Sequence, residues 1–323
     1  MPEWSIAEPR EVTFDTPVTT LQVRIVNGTV NVVGTAEGSA RLEVSEIEGR
    51  PLTITHTDDT LSVAYDDLPW QGLLKWLNGT DRHRKAVVSL TVPPGTRVEV
   101  GVIGAGATVS GIAGRTEVKG VSGDTTLVGL SGPVHAHTVS GSVEAQGLTG
   151  DLRFRSVAGD LTLVEAAGPS VRGDSVSGSM IVDLTPADRP TDVALTSVSG
   201  EIAIRLPHPA DAEVEVGTAS GSVSNAFADL RVSTDRTIPA PPPDAFRTPE
   251  GPGDARTWGW GAKRITGRLG PGNGRLKATT VSGAIALLRR PPMDEDLPED
   301  AVSPAPAADA TATDDVPTDK KVL

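Results

Sequence analysis

The chain has 323 residues and a formal net charge of -13, with 35 Gly and 26 Pro making up nearly a fifth of it. Its aromatic residues are 5 Trp, 4 Phe and 1 Tyr, so a core must be built from aliphatic side chains, which favours thin, repetitive packing. The absence of Cys excludes a disulfide scaffold, thiolate zinc sites, iron–sulfur clusters and a Cys nucleophile.

The charge is uneven. Residues 291–323 hold nine acids against Lys320 and Lys321, and the remaining body is only mildly acidic. Nucleic acid is not the expected partner, because phosphate recognition requires clustered Lys and Arg. Met1 to Arg10 contains no apolar stretch of the secretory kind. The longest fully apolar run, Ala284 to Leu288, is far short of a membrane span. The expected address is the cytoplasm, with peripheral contact at a membrane as the alternative.

In chain order, Leu21 to Val33 reads as a first coil of extended chain with Asn27-Gly28 at its corner. Leu42 to Glu46, Leu52 to His56 and Leu61 to Tyr65 then alternate apolar and polar residues, and Asp58-Asp59 fits a hairpin turn between the last two. These antiparallel strands are expected to cap the first coil. Asp67 to Lys85 carries Trp70 and Trp76 among leucines, then Arg82, His83, Arg84 and Lys85. The pattern predicts a short amphipathic helix and a basic loop. Apolar residues beside a basic cluster suit an anionic membrane surface or a partner. Trp70, Trp76, Arg82, Arg84 and Lys85 are therefore the candidate interaction residues, and lying over the open end of a stack is the plainer alternative for them.

From there a tripeptide of apolar residue, Ser (or Ala or Thr) and Gly recurs, as in Val121-Ser122-Gly123, Val139-Ser140-Gly141, Val176-Ser177-Gly178 and Val198-Ser199-Gly200. Taking Gly123, Gly141, Gly159, Gly178, Gly200 and Gly221, the steps are 18, 18, 19, 22 and 21 residues. Aligned on that glycine, the positions two before, two after and four after are apolar except for Thr125 and Asn225, and polar residues lie between. Strands alternate faces with period two, so these three columns are expected inside, with the glycine permitting a positive φ or a tight bend. The predicted fold is all-β, a parallel β-solenoid (β-helix) of about 18–22-residue coils with an antiparallel N-terminal cap, its repeats stacking one strand spacing apart. Residues 1–97 form the cap with the first coil, and residues 98–290 form the solenoid. A Pro-rich insertion falls at about 232–260, and Val281-Ser282-Gly283 marks the terminal coil. Residues 291–323 read as a disordered acidic tail.

These repeats resemble a bacterial putative adhesin family, a domain of unknown function with V-S-G β-solenoid coils, over about residues 20–290. The residues that carry the resemblance are Val23-Arg24-Ile25-Val26-Asn27-Gly28-Thr29-Val30, Val176-Ser177-Gly178-Ser179-Met180 and Gly272-Asn273-Gly274-Arg275-Leu276. It implies the fold and brings no catalytic residues with it.

Catalytic, cofactor and metal sites are not expected. Asp124, Asp151, Asp160 and Asp174 adjoin corner glycines, where carboxylates on a stack could hold calcium or cleave a glycan, but Gly-Asp is also ordinary turn chemistry. His135 and His137 share a strand face without an evident third ligand. Gly101, Gly104 and Gly106 imitate a nucleotide loop but lack the following helix. The function expected is a non-catalytic scaffold or interaction protein whose partner is a protein, an envelope component or a second copy of itself. A glycan-acting enzyme and a self-polymerising rod are the alternatives.

Overall fold

The computed structural model of the chain describes residues 3–36, 39–65, 84–187, 189–235 and 262–291. The predicted amphipathic helix, the Pro-rich stretch and the acidic tail lie outside the described residues, apart from their edges. Among the described residues there is no helix. The chain opens with β1 (Glu3–Ile6), β2 (Arg10–Phe14), β3 (Thr20–Ile25), β4 (Asn27–Gly34), β5 (Ala40–Glu48), β6 (Leu52–Thr57), β7 (Thr60–Ala64) and β8 (Lys85–Val92). Short strands follow: β9 (Arg97–Val102), β10 (Gly106–Ser110), β11 (Thr116–Gly120), β12 (Thr125–Val128), β13 (Val134–Thr138), β14 (Val143–Gln146), β15 (Leu152–Ser156), β16 (Leu161–Ala166), β17 (Ser170–Asp174), β18 (Met180–Leu184), β19 (Asp192–Ser197) and β20 (Ile202–Leu206). The last are β21 (Ala212–Thr218), β22 (Val223–Asn225), β23 (Arg231–Asp235), β24 (Ala262–Leu269), β25 (Gly274–Thr280) and β26 (Ile285–Arg289).

Two large, mostly parallel sheets result, one of 14 strands and one of 12. From β9 to β20 the odd-numbered strands lie side by side in the first sheet and the even-numbered strands in the second. Each corner thus carries the chain from one sheet to the other, and each strand pairs in parallel with its equivalent about one repeat later. The ladder Val98, Thr116, Val134, Leu152, Val171 and Val193 shows the register. Inner faces of both sheets contribute to one apolar cluster. The columns two and four residues after the corner glycine face inward as expected: Val143, Leu161, Met180 and Ile202, then Leu127, Leu163, Val182 and Ile204, are all buried.

From Val157 on, the column two before the glycine does not, although Val121 is buried. Val157, Val176, Val198 and Val281 are 51%, 48%, 38% and 53% exposed. Strand alternation ends at the corner: β13 stops at Thr138, and the residues up to Val143 belong to no strand. The inward position is instead a hydroxyl three before the glycine. Thr138, Ser175, Ser197, Thr218 and Thr280 are buried, and each accepts a hydrogen bond from the N–H of the following corner glycine at 2.9 to 3.1 Å. A buried hydroxyl is thereby satisfied within its own coil.

The serine of the tripeptide joins coil to coil. Ser140, Ser177 and Ser199 donate their hydroxyls to the carbonyls of Val121, Val157 and Val176 at 3.0, 3.2 and 3.4 Å. The glycine is needed for close approach, and the expectation of a positive φ is corrected: Gly141, Gly159, Gly178, Gly200, Gly221 and Gly283 all lie outside the left-handed region. A Cβ at Gly141, Gly159, Gly178 or Gly200 would fall 2.1, 2.1, 2.0 or 1.9 Å from the carbonyl oxygen of the corner glycine one coil earlier.

At the N-terminal end, β3 and β4 pair in parallel with β9 and β10. β6 and β7 form the predicted hairpin through Asp58, whose φ is 52°. β5 runs antiparallel to β2 and β8, β6 runs antiparallel to β1, and β7 and β8 run parallel to β3 and β4. β8 begins at Lys85, so the end of the predicted basic loop is a strand.

At the other end the chain order departs from the spatial order. β25 lies between β19 and β21, and β26 between β20 and β22. Val281-Ser282-Gly283 is therefore an inserted coil, correcting its expected terminal position, and the coil of β21 and β22 lies beyond it. β24 then pairs antiparallel with β21 and with β23, a strand inside the stretch read as insertion. Periodicity shows which residues repeat but not the order in which the repeats stack.

Candidate functional site

Of the predicted interaction residues, Trp70, Trp76 and Arg82 lie outside the described residues. Arg84 is 4% exposed, with its guanidinium carbon 5.3 Å from the centroid of the Tyr65 ring, and its carbonyl accepts from Asn27 Nδ2 at 3.1 Å. Its side chain is thus occupied in packing between β7 and β8. Lys85 faces outward and pairs with Glu46 across β5 at 2.7 Å, which holds its ammonium above the usual lysine range. The structure brings Arg84 and Lys85 to one strand start but points them to opposite sides, as alternation on a strand requires.

The corner carboxylates serve the stack. Asp124 Oδ1 accepts the N–H of Ser142 at 2.9 Å, and Asp160 Oδ1 accepts that of Ser179 at 2.7 Å, each bridging to the following coil. Asp183 is 3% exposed and held by Arg205, with Nε to Oδ1 at 2.8 Å, and by Arg290 at 3.9 Å. This ion cluster joins β18, β20 and the residue after β26. Among the described residues no group of three or more His, Asp or Glu could hold a metal ion. No helix among them is long and apolar enough to cross a membrane.

A different constellation emerges on the outer face of the first sheet. The register places Glu117, His135, Arg153 and Arg172 in one column and Lys119, His137, Arg155 and Asp174 in the next. Arg115 precedes β11, and its Nη2 lies 3.0 Å from His135 Nδ1. Two of the carboxylates are matched: Glu117 pairs with Lys119 at 2.7 Å and Asp174 with Arg155 at 3.8 Å. Arg153 and Arg172, on adjacent strands, are not in an ion pair among the described residues. The sequence puts His135 and His137 on one strand face, but the apolar columns alone do not bring the neighbouring charges to them. Aligning the polar positions at the same steps gives 117, 135, 153 and 172, which would have found the column.

Both imidazoles are held below the usual histidine range of about 6.5, first by burial and then by Arg115 for His135 and Arg155 for His137. The fold prefers them neutral, so the unfolded chain takes up their protons first as pH falls. Their contribution to stability is present above the unfolded value and lost as pH drops through 6.5 toward the folded values. The double variant His135→Asn with His137→Asn is expected to lose less melting temperature than the native chain between pH 7.5 and 5.5 by roughly a few degrees. Equal losses would show that other groups set the acid limit.

The exposed valine stripe gives a complementary result. Val176→Asp or Val198→Asp should change unfolding free energy by no more than about 0.5 kcal/mol in denaturant titration, as at other exposed positions. A core-facing valine would cost several times that.

No family model and no curated protein matches the chain. A solved structure from Clostridium sporogenes, described as a putative cell adhesion protein, aligns over 88% of this chain and 100% of its own at 11% identity and a TM-score of 0.25.

Proposed function

We propose that the chain is a non-catalytic β-solenoid interaction protein, in which the strands before β9 cap one end and the sheets present regular outer faces to a partner. The observation that supports it is the register. Like positions stand one above another through successive parallel pairings, so the outer face of the first sheet displays mostly polar side chains in straight columns at a spacing of ~4.8 Å. Such a face suits recognition of something extended and repetitive. A partner in the cell envelope, as a protein or a glycan, fits that geometry.

The alternative is an enzyme acting on a glycan with corner carboxylates. Asp124 and Asp160 each spend an oxygen on a backbone N–H of the next coil, which favours the structural role. The test is turnover across a panel of neutral and acidic polysaccharides, read as new reducing ends. No turnover is the expected result. Turnover that is lost in Asp124→Asn or Asp160→Asn, with the melting temperature retained, would replace the proposal by the enzyme reading.

A further inference from the structure

We infer that the outer face of β11, β13, β15 and β17 binds a linear carboxylated polysaccharide laid across the strands, with Arg115, Arg153 and Arg172 as the principal contacts. This rests on the non-catalytic reading above and names the partner class for one of its faces.

The protein carries -13 overall, yet this face and its margin hold Arg115, Lys119, Arg153, Arg155 and Arg172 against Glu117, Asp151 and Asp174. Lys119 and Arg155 are taken by carboxylates of the same face, whereas Arg153 and Arg172 are available to a ligand. The acids bordering the face are themselves engaged: Glu99 pairs with Arg97 at 2.6 Å on one side, and Asp192 accepts the N–H of Arg275 at 3.1 Å on the other.

Geometry favours a sugar polymer. Neighbouring strands repeat at ~4.8 Å, about the length of one pyranose ring, so Arg153 and Arg172 on adjacent strands can each meet the carboxylate of one sugar, with Arg115 reaching the chain two strands away from Arg153. The fork of a guanidinium suits a carboxylate in two-point contact. His135 and Arg153 neighbour each other in the column, and planar groups of this kind also lie well against a sugar ring. The face has no Phe, Tyr or Trp side chain on which a nucleobase could stack, and the net negative charge of the chain repels a densely charged duplex. Exposed charge pairs are individually weak, so binding depends on several adjacent contacts and on polymer length.

The test uses the full-length protein and three probes in calorimetric titration at low salt: a galacturonic acid hexamer, its methyl ester and a single-stranded oligonucleotide of equal charge. The acidic hexamer is expected to bind, weakening as salt rises, and the neutral ester to bind at least tenfold more weakly. Arg153→Glu with Arg172→Glu, both at outward positions, should keep the melting temperature and weaken the hexamer at least tenfold. The milder pair Arg153→Gln with Arg172→Gln serves if the reversed charges disturb folding. Equal affinity for hexamer and ester, tighter binding of the oligonucleotide, no binding of the hexamer, or native affinity in both double variants would each overturn the inference. Recovery of the hexamer after incubation separates the two readings: an intact hexamer that does not bind defeats only this inference, whereas a shortened hexamer defeats the non-catalytic proposal.

Discussion

Gly200→Ala is expected to cost at least about 4 kcal/mol of unfolding free energy, or to leave no soluble folded protein. The methyl carbon would lie 1.9 Å from the carbonyl oxygen of Gly178 and 2.8 Å from Ser197 Oγ. The first of these is backbone, fixed by the strands that pair β18 with β20, so it cannot rotate aside as a side-chain tip could. Relief requires the two coils to part at the corner. That would weaken the hydrogen bond from Ser199 Oγ to the Val176 carbonyl and the parallel ladders leading away from it. The same substitution at Gly95, which has nothing within 4 Å of a Cβ and no positive φ, is the control and should be neutral within about 0.5 kcal/mol. Denaturant titration of both variants checks the pair. A cost below about 1 kcal/mol at Gly200 would mean that the corners relax, and that the glycine column reflects turn preference alone.

This contrast also shows what could be read from the residues. The sheet faces were legible, because alternation survives wherever the chain is a strand: Val143, Leu161 and Ile202 lie where the pattern places them. The corner was legible only as a repeat. The spacing of Val-Ser-Gly is plain in the sequence, but at Val176, Val198 and Val281 the valine points outward and the inward residue is the Ser or Thr before it. A period-two rule has no force once the backbone leaves the strand. The inserted coil of β25 and β26 was not legible at all, since its columns match those of its neighbours and any order of stacking satisfies them equally. The basic column on the first sheet was present in the sequence at the repeat spacing, and it becomes meaningful only when register sets Arg153 beside Arg172.

Phe154→Ala should be the costliest truncation within the stack, about 4 kcal/mol in equilibrium unfolding. Phe154 is fully buried in β15, where the other buried apolar side chains from β9 to β20 are non-aromatic, and its ladder neighbours are Ala136 on β13 and Gly173 on β17. A ring at one level is accommodated by small residues at the levels on either side. Beyond Gly173 the size recovers, since Leu195 Cδ2 and Met180 Sδ stand 2.9 and 2.7 Å from the point a Gly173 Cβ would occupy. Truncating the ring leaves a cavity that parallel pairing prevents the coils from closing, so the cost is not reduced by collapse of the site. Phe154→Leu should cost about 1.5 kcal/mol, because most of the volume is kept. Gly173→Ala alone should destabilise by overpacking, since its Cβ meets Met180 on the facing sheet and Leu195 on the neighbouring coil. The combination Gly173→Ala with Phe154→Leu is the discriminating measurement. The two sites are adjacent rungs, so the double variant should be more stable than the sum of the single costs by about 0.5 kcal/mol or more. Strict additivity would show that the ring and the glycine were matched by sequence history and not by shared space.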